Sequence, residues 1–213
     1  MTALTLAQPE TIVAQAARID VAISEHQAQQ LAQFAALMEK WNRHFNLMSR
    51  KDIDRLWSRH ILDSLSITSL LIGERILDFG SGGGFPGIPL AVANPEREFV
   101  LLDRHQRKCR FLEQAISTLD LANTRVICVD VEALAVDHDA AFHCVTSRAV
   151  APAEQVWQLV RRLLKPQGRL IVMAATGKNQ LVAPSGARCE QRYIPGLEQP
   201  HEVVIIDDHK SDG

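Results

Sequence analysis

The sequence predicts an α/β protein: a mostly parallel sheet of seven strands ending in an antiparallel edge hairpin, preceded by a helical extension. Three observations carry this. Up to about Leu71 the apolar residues recur at helical spacing. From Arg75 onward short apolar runs alternate with helical stretches, the pattern of βαβ units and parallel pairing. Near the C-terminus two further strand-like runs are separated by Pro195, Gly196 and Pro200, with no room for a helix, so they pair antiparallel. The 213 residues suit one domain with an extension, divided at 1–72 and 73–213 and forming one structural unit.

The elements follow in order. Pro9 suits the first turn of a short helix. Ser24 followed by Gln27 is a capping box. It opens a helix whose Leu31, Phe34, Met38 and Trp41 form one apolar stripe, and core packing is the default for Trp41 and Phe45. A second helix starts after Asp52, with Ile53, Leu56, His60, Ile61, Ser64, Leu65 and Thr68 near one face. Strands are expected at 75–79, 98–103, 125–129, 142–147, 169–174, 188–194 and 202–207, and helices at 86–94, 105–119 and 152–164. Residues 177–186 are rich in Gly, Pro and Ser, and the last three residues read as a frayed end.

Composition narrows the function classes. Hydrophobic residues make up 46% and charged residues 23%, as in an ordinary globular protein. The net charge of −2 excludes a uniformly basic nucleic-acid binder but not a localised basic face. No apolar run approaches the ~20 residues of a membrane helix, and the start lacks the positive region of a signal peptide. Cys109, Cys128, Cys144 and Cys189 form no CxxC pair, which argues against zinc or a redox motif. Cys128 and Cys144 fall in strand-like runs and read as small buried hydrophobes. A cytoplasmic protein with neither metal nor membrane contact is expected.

The most informative stretch runs from Ile76 to Gly87, Ile76-Leu77-Asp78-Phe79 followed by Gly80-Ser81-Gly82-Gly83-Gly84-Phe85-Pro86-Gly87. It joins a strand to a helix, where glycines let the chain turn sharply and let a ligand approach the main chain. Two frames are possible. Gly82, Gly84 and Gly87 satisfy the dinucleotide pattern of a nucleotide-dependent dehydrogenase. Gly80, Gly82 and Gly84, preceded by Asp78, fit better: Gly80 directly follows the strand, and Asp78 suits a cationic, amine-bearing ligand rather than a pyrophosphate. S-adenosylmethionine has an ammonium, a sulfonium and no phosphate. Asp103 ends the second strand, where a carboxylate takes ribose hydroxyls, a role compatible with capping the next helix. Asp130-Val131-Glu132 follows the third strand, beside the expected adenine, and Ser147-Arg148-Ala149 follows the fourth, on the substrate side.

These residues, together with Lys40-Trp41-Asn42, Phe45-Asn46-Leu47, the His60-Ile-Leu-Asp-Ser-Leu65 run, Phe85-Pro-Gly-Ile-Pro-Leu90 and Lys108 with Phe111-Leu112, resemble the RsmG (GidB) family of bacterial 16S rRNA guanine-N7 methyltransferases. The resemblance covers about residues 24–174. It implies a Rossmann-like methyltransferase fold and S-adenosylmethionine as donor, with S-adenosylhomocysteine as product. It passes the family's cofactor contacts to Gly80, Phe85, Val131, Glu132 and Arg148. The chain departs from the family at Met48, at Asp130, and after the fifth strand, where a lysine is missing and Lys178 is the nearest substitute. The departures keep open a catalytically silent rRNA-binding assembly factor.

The implied reaction needs no essential general base and no metal. Guanine N7 presents a lone pair on the major-groove edge, so positioning carries the rate. Accordingly no catalytic residue is assigned, Arg148 being a substrate-side candidate. His60 with Asp63 reads as a structural or RNA-facing pair rather than a catalytic dyad. The target guanosine must be unpaired or distorted, since the A-form major groove is too narrow to enter. Candidate RNA contacts are Arg43, Asn46, Arg50, Lys51, Arg59, His60, Arg104, Lys108, Arg162, Lys165 and Lys178. The implied partner is 16S rRNA or the small ribosomal subunit, met by a monomer.

Overall fold

The computed structural model describes residues 8–173 and 186–208. Helix α1 (Pro9–Ala17) carries Pro9 in its first turn, where a missing N–H costs nothing. Helix α2 (Glu25–Phe45) opens on the expected capping box: Ser24 Oγ accepts from Gln27 N–H, and Gln27 Oε1 accepts from Ser24 N–H. Leu31, Phe34 and Met38 are fully buried and Trp41 packs at the edge of the core. Phe45 departs from its core assignment. It is 40% exposed, and the Arg107 guanidinium lies 5.7 Å from its ring centroid.

The second predicted helix is not one regular helix. Helix α3 (Arg50–Ile53) is a single turn, Leu56–Leu62 is wound as a π-helix, α4 (Asp63–Leu65) is short, and Thr68–Leu70 is a 3₁₀ turn. Spacing arguments assume 3.6 residues per turn and do not register wider winding. Leu56, Ile61, Ser64 and Leu65 are buried as expected, and Trp57, Leu62 and Asp63 join them.

The strands are β1 (Arg75–Phe79), β2 (Glu98–Leu102), β3 (Thr124–Ile127), β4 (Phe142–Arg148), β5 (Leu164–Met173), β6 (Arg188–Arg192) and β7 (His201–Asp207). They lie in the order β3-β2-β1-β4-β5-β7-β6. The first five are parallel, and β7 is antiparallel to both β5 and β6. The terminal hairpin therefore exists, but β7 is interior and β6 forms the edge. Side-chain chemistry explains this. Val203, Val204, Ile205 and Ile206 bury apolar groups on both faces, whereas Arg188, Glu190, Gln191 and Arg192 tolerate water along an open edge.

Helices α5 (Gly87–Ala93), α6 (Gln106–Leu119) and α7 (Ala153–Val160) flank the sheet. Strand alternation divides the core into two layers. Ile76, Phe99, Leu101, Ile171 and Val203 pack with α2, α5 and α6; Leu77, Val100, Val145, Leu170 and Val204 pack with α7. The N-terminal helices share the first of these clusters with the sheet.

Cys109 on α6 and Cys128 just past β3 form a disulfide, which corrects the reading of Cys128 as an unpaired buried hydrophobe. The two are 19 residues apart in sequence, and the α6–β3 return brings their Cα atoms to 5.9 Å. Cys144 is free and buried. Among the described residues no helix is long and apolar enough to cross a membrane.

Candidate functional site

A cavity of about 640 Å³ opens at the C-terminal ends of β1, β2 and β4, the position at which open α/β sheets bind ligands. Its floor is the glycine loop. Gly80 and Ser81 donate their N–H groups to the Leu102 carbonyl at 2.9 and 3.1 Å, which turns the chain across the end of β2. Gly80 has φ +73°, and a Cβ there would lie 2.5 Å from Val150 Cγ2. Gly82 N–H donates to Asp103 Oδ2 at 2.9 Å.

Asp103 is 5% exposed and lines the cavity. Its Oδ1 accepts from His105 N–H at 2.9 Å, just before α6, and lies 3.0 Å from His105 Nδ1. Asp103 therefore does not cap α6, whose N-cap is His105 with no side-chain cap; its carboxylate closes the turn before the helix and stands at the cavity wall. Val131 and Glu132 line the same wall. Asp130 accepts from Glu132 N–H at 3.3 Å and pairs with Arg104 at 3.3 Å; these contacts, the N–H first, hold its carboxyl below the usual range. The family departure at Asp130 therefore has a local partner.

Three loop residues are placed differently from expectation. Asp78 does not line the cavity. It is 1% exposed, its Oδ2 accepts from Gly87 N–H at 3.1 Å, and its Oδ1 accepts from Thr146 Oγ1 at 3.2 Å. Burial raises its carboxyl pKa to about 6. It pins the start of α5 from beneath, so the role of hydrogen-bonding a cationic ligand is withdrawn. Gly84 also lies off the cavity: a Cβ there would meet Ile88 at 2.7 Å and Phe34 at 3.2 Å. Gly87 packs against Leu101 and Asp78, where a Cβ would come within 2.4 and 2.5 Å. The Gly82-Gly84-Gly87 frame of the dehydrogenase reading is thus mostly packing, with only Gly82 at the cavity.

The opposite wall comes from the helical extension and β4. Phe85 is buried between Phe34 and His60, with ring centroids at 5.2 and 5.1 Å. His60 lines the cavity, and burial, with Arg148 nearby, pushes its pKa down to about 3, so the ring is neutral at pH 7. Its Nε2 is buried without a hydrogen-bond partner and lies 3.7 Å from Asp52. His60 does not pair with Asp63: one faces Asp52 and Phe85, the other Arg148 and His201. Arg148 also lines the cavity, its side chain 8% exposed; Nη2 donates to the Arg59 carbonyl at 2.7 Å, and Nη1 is buried without a partner.

The basic candidates divide. Arg104 and Lys108 line the cavity, Lys108 Nζ 3.9 Å from Asp103. Arg43 and Asn46 are exposed at the end of α2, and the Phe45–Arg107 contact brings that end beside the start of α6. Arg59 pairs with Asp52 at 3.3 Å. Arg162 is withdrawn as an RNA contact: it pairs with Asp139 and donates to the carbonyls of Val131 and Leu134 at 3.0 and 3.1 Å, clasping the loop that carries Glu132. Lys165 is withdrawn too: it sits at the start of β5, 3.2 Å from His143, at the opposite end of the parallel sheet. The side chains of Arg50 and Lys51, and all of Lys178, fall outside the described residues. Sequence reasoning quoted Leu47 without assigning it to the site and did not reach Val150 and Leu159 of the cavity wall, nor the link from Asp63 to His201, which no local pattern signals.

Comparison with known proteins agrees with this architecture. A methyltransferase described as SAM-dependent from Aquifex aeolicus has the same fold at TM-score 0.55 and 12% identity, over 82% of this chain and 98% of that one. A ribosomal RNA small subunit methyltransferase G of Laribacter hongkongensis is 38% identical over 92% of this chain and 97% of its own. One from Nitrosococcus oceani is 44% identical over 73% and 72%. The sequence model of the rRNA small subunit methyltransferase G family matches residues 27–195. With that match and these relatives, the chain belongs to the rRNA small subunit methyltransferase G family.

Proposed function

We propose that the protein transfers the methyl group of S-adenosylmethionine to N7 of a guanosine in 16S rRNA, acting as a monomer in the cytoplasm. The observation that carries this is the cavity itself, with a glycine floor, a ribose-competent carboxylate and unfilled donors on the far wall, in a chain of this family. The residues fit the cofactor. Asp103 takes the ribose hydroxyls, Val131 and Glu132 flank the adenine, and Gly80 and Gly82 let the main chain come close. Arg148 Nη1, buried and without a partner, suits an anionic group such as the cofactor's carboxylate. When bound, the cofactor supplies an activated methyl on a sulfonium.

The protein's share is positioning. N7 carries a lone pair and loses no proton, so no side chain has to act as a base. The floor and Phe85 fix one partner, the far wall receives the other, and closure of the cavity by RNA keeps water out. Arg104 and Lys108, with exposed Arg43 and Phe45 nearby, put cations and an aromatic face at the entrance, where a phosphate backbone and an unstacked base are received. Purified protein incubated with labelled S-adenosylmethionine and small-subunit particles should label 16S rRNA at a guanosine N7. Absence of label from the rRNA would overturn the proposal.

A further inference from the structure

Arg148 is held by a buried chain of charge that reaches the C-terminal strand. Asp63 is wholly buried. Its Oδ2 lies 3.4 Å from Arg148 Nη2, and its Oδ1 lies 2.6 Å from His201 Nδ1. Three elements remote in sequence meet here: α4 supplies Asp63, β4 supplies Arg148 and β7 supplies His201. Neither Asp63 nor His201 lines the cavity; Arg148 does.

The contacts set the orientation of the His201 ring. His201 Nδ1 faces a carboxylate and so carries its proton, while Nε2 is buried and has no partner. The Nδ1 contact thus fixes the ring against Asp63 and leaves its other edge in apolar surroundings. The Asp63 carboxylate lies beside Arg148 and offsets the guanidinium's charge. That balance matters in a cavity proposed to take a sulfonium, because an unbalanced buried guanidinium would repel it. The geometry matters as well. Nη2 donates to the Arg59 carbonyl and lies in ion-pair contact with Asp63 Oδ2, which makes no hydrogen bond of its own, and Nη1 is left as the end free to meet a ligand.

We infer that Asp63 and His201 are positioning residues that neutralise and aim Arg148 at the bound cofactor, so that the C-terminal strand sets cofactor affinity without touching the cofactor. This rests on the cavity being the S-adenosylmethionine site, and the experiment separates the two. S-adenosylhomocysteine affinity is measured by calorimetry for the unaltered protein, for His201→Leu, for His201→Asn and for each in an Arg148→Ala background. If the unaltered protein fails to bind, the functional proposal falls. If it binds, His201→Leu should weaken affinity about tenfold, or ~1.4 kcal/mol. His201→Asn, whose amide reproduces the Nδ1–H donor, should stay within about threefold. In the Arg148→Ala background His201→Leu should cost nothing further, because its effect runs through Arg148. The inference is overturned if His201→Leu binds like the unaltered protein, if His201→Asn loses as much as His201→Leu, or if the loss persists without Arg148. Asp63→Asn is read the same way and keeps the inference testable should His201→Leu fail to fold.

Discussion

The wall formed by the ends of β1 and β2 satisfies its own hydrogen bonds before any ligand arrives, whereas the wall formed by the helical extension and β4 does not. On the first, Gly82 N–H, His105 N–H and Asp103 already answer one another. On the second, Arg148 Nη1 and His60 Nε2 are buried and unanswered. A buried polar atom without a partner costs free energy that a ligand recovers on binding. The contrast separates a preset seat, which fixes where a ligand sits, from a wall held under tension, which gains most from occupancy.

The largest expected effect breaks the preset seat. Gly80→Asp forces a side chain into positive φ and into Val150, and should cut S-adenosylhomocysteine affinity by about 100-fold or more, measured by calorimetry. An effect of similar size concerns the same side. The Cys109–Cys128 tie closes a loop that, on chain entropy, is worth about 3 kcal/mol. Denaturant unfolding under oxidising conditions should show that loss in Cys128→Ser, and added reductant should destabilise the unaltered protein but not the variant. The entrance can be resolved more finely. Lys108→Ala should weaken rRNA binding and lower its salt slope by about one, while Lys165→Ala, at the far end of the sheet, should leave both unchanged. Equal effects from the two lysines would mean that RNA does not enter over the cavity.

A pH-dependent effect belongs to the unfilled wall. The folded pKa of His60 is about 3, below its unfolded value near 6.5, so the unfolded chain takes up a proton first as pH falls. Stability from this group is present above about pH 6.5 and is lost toward pH 3. Asp78 has the opposite sign: its folded pKa is raised to about 6, so its contribution is favourable below about 3.8 and is lost as pH rises through 6. The stability difference between the unaltered protein and His60→Gln, followed by urea unfolding from pH 7 to pH 4, should shift toward the variant by no more than about 1.4 kcal/mol per pH unit. A flat difference would show that His60 is not buried against the cavity wall.

Sequence reasoning was strongest where structure is local. The Ser24–Gln27 cap, β1 and the turn at Gly80 depend on neighbours within a few residues, and each is found where spacing places it. It failed where a side chain's partner is remote. Asp78 looked like a ligand-binding acid because nothing nearby shows that Thr146 would arrive to hold it. Lys165 sits in a basic run, but its strand enters the sheet from the wrong end. Phe45 looks like a core residue by type, and only the fold leaves its ring open beneath Arg107. The π-helical winding at Leu56–Leu62 moved His60 away from Asp63, so the two side chains that spacing paired serve different partners.

The interior position of β7 has a kinetic consequence. His201 and Asp63 are 138 residues apart, and β5 has no second neighbour until β7 slides between it and β6. Contacts this distant close large loops, and they form late and slowly compared with helix caps or adjacent parallel pairs. The sheet through β5 and the glycine turn can assemble first, leaving Arg148 and Asp63 to settle when β7 docks. Refolding followed by S-adenosylhomocysteine binding should accordingly lag behind refolding followed by helix content, with the delay set by the docking of a single strand.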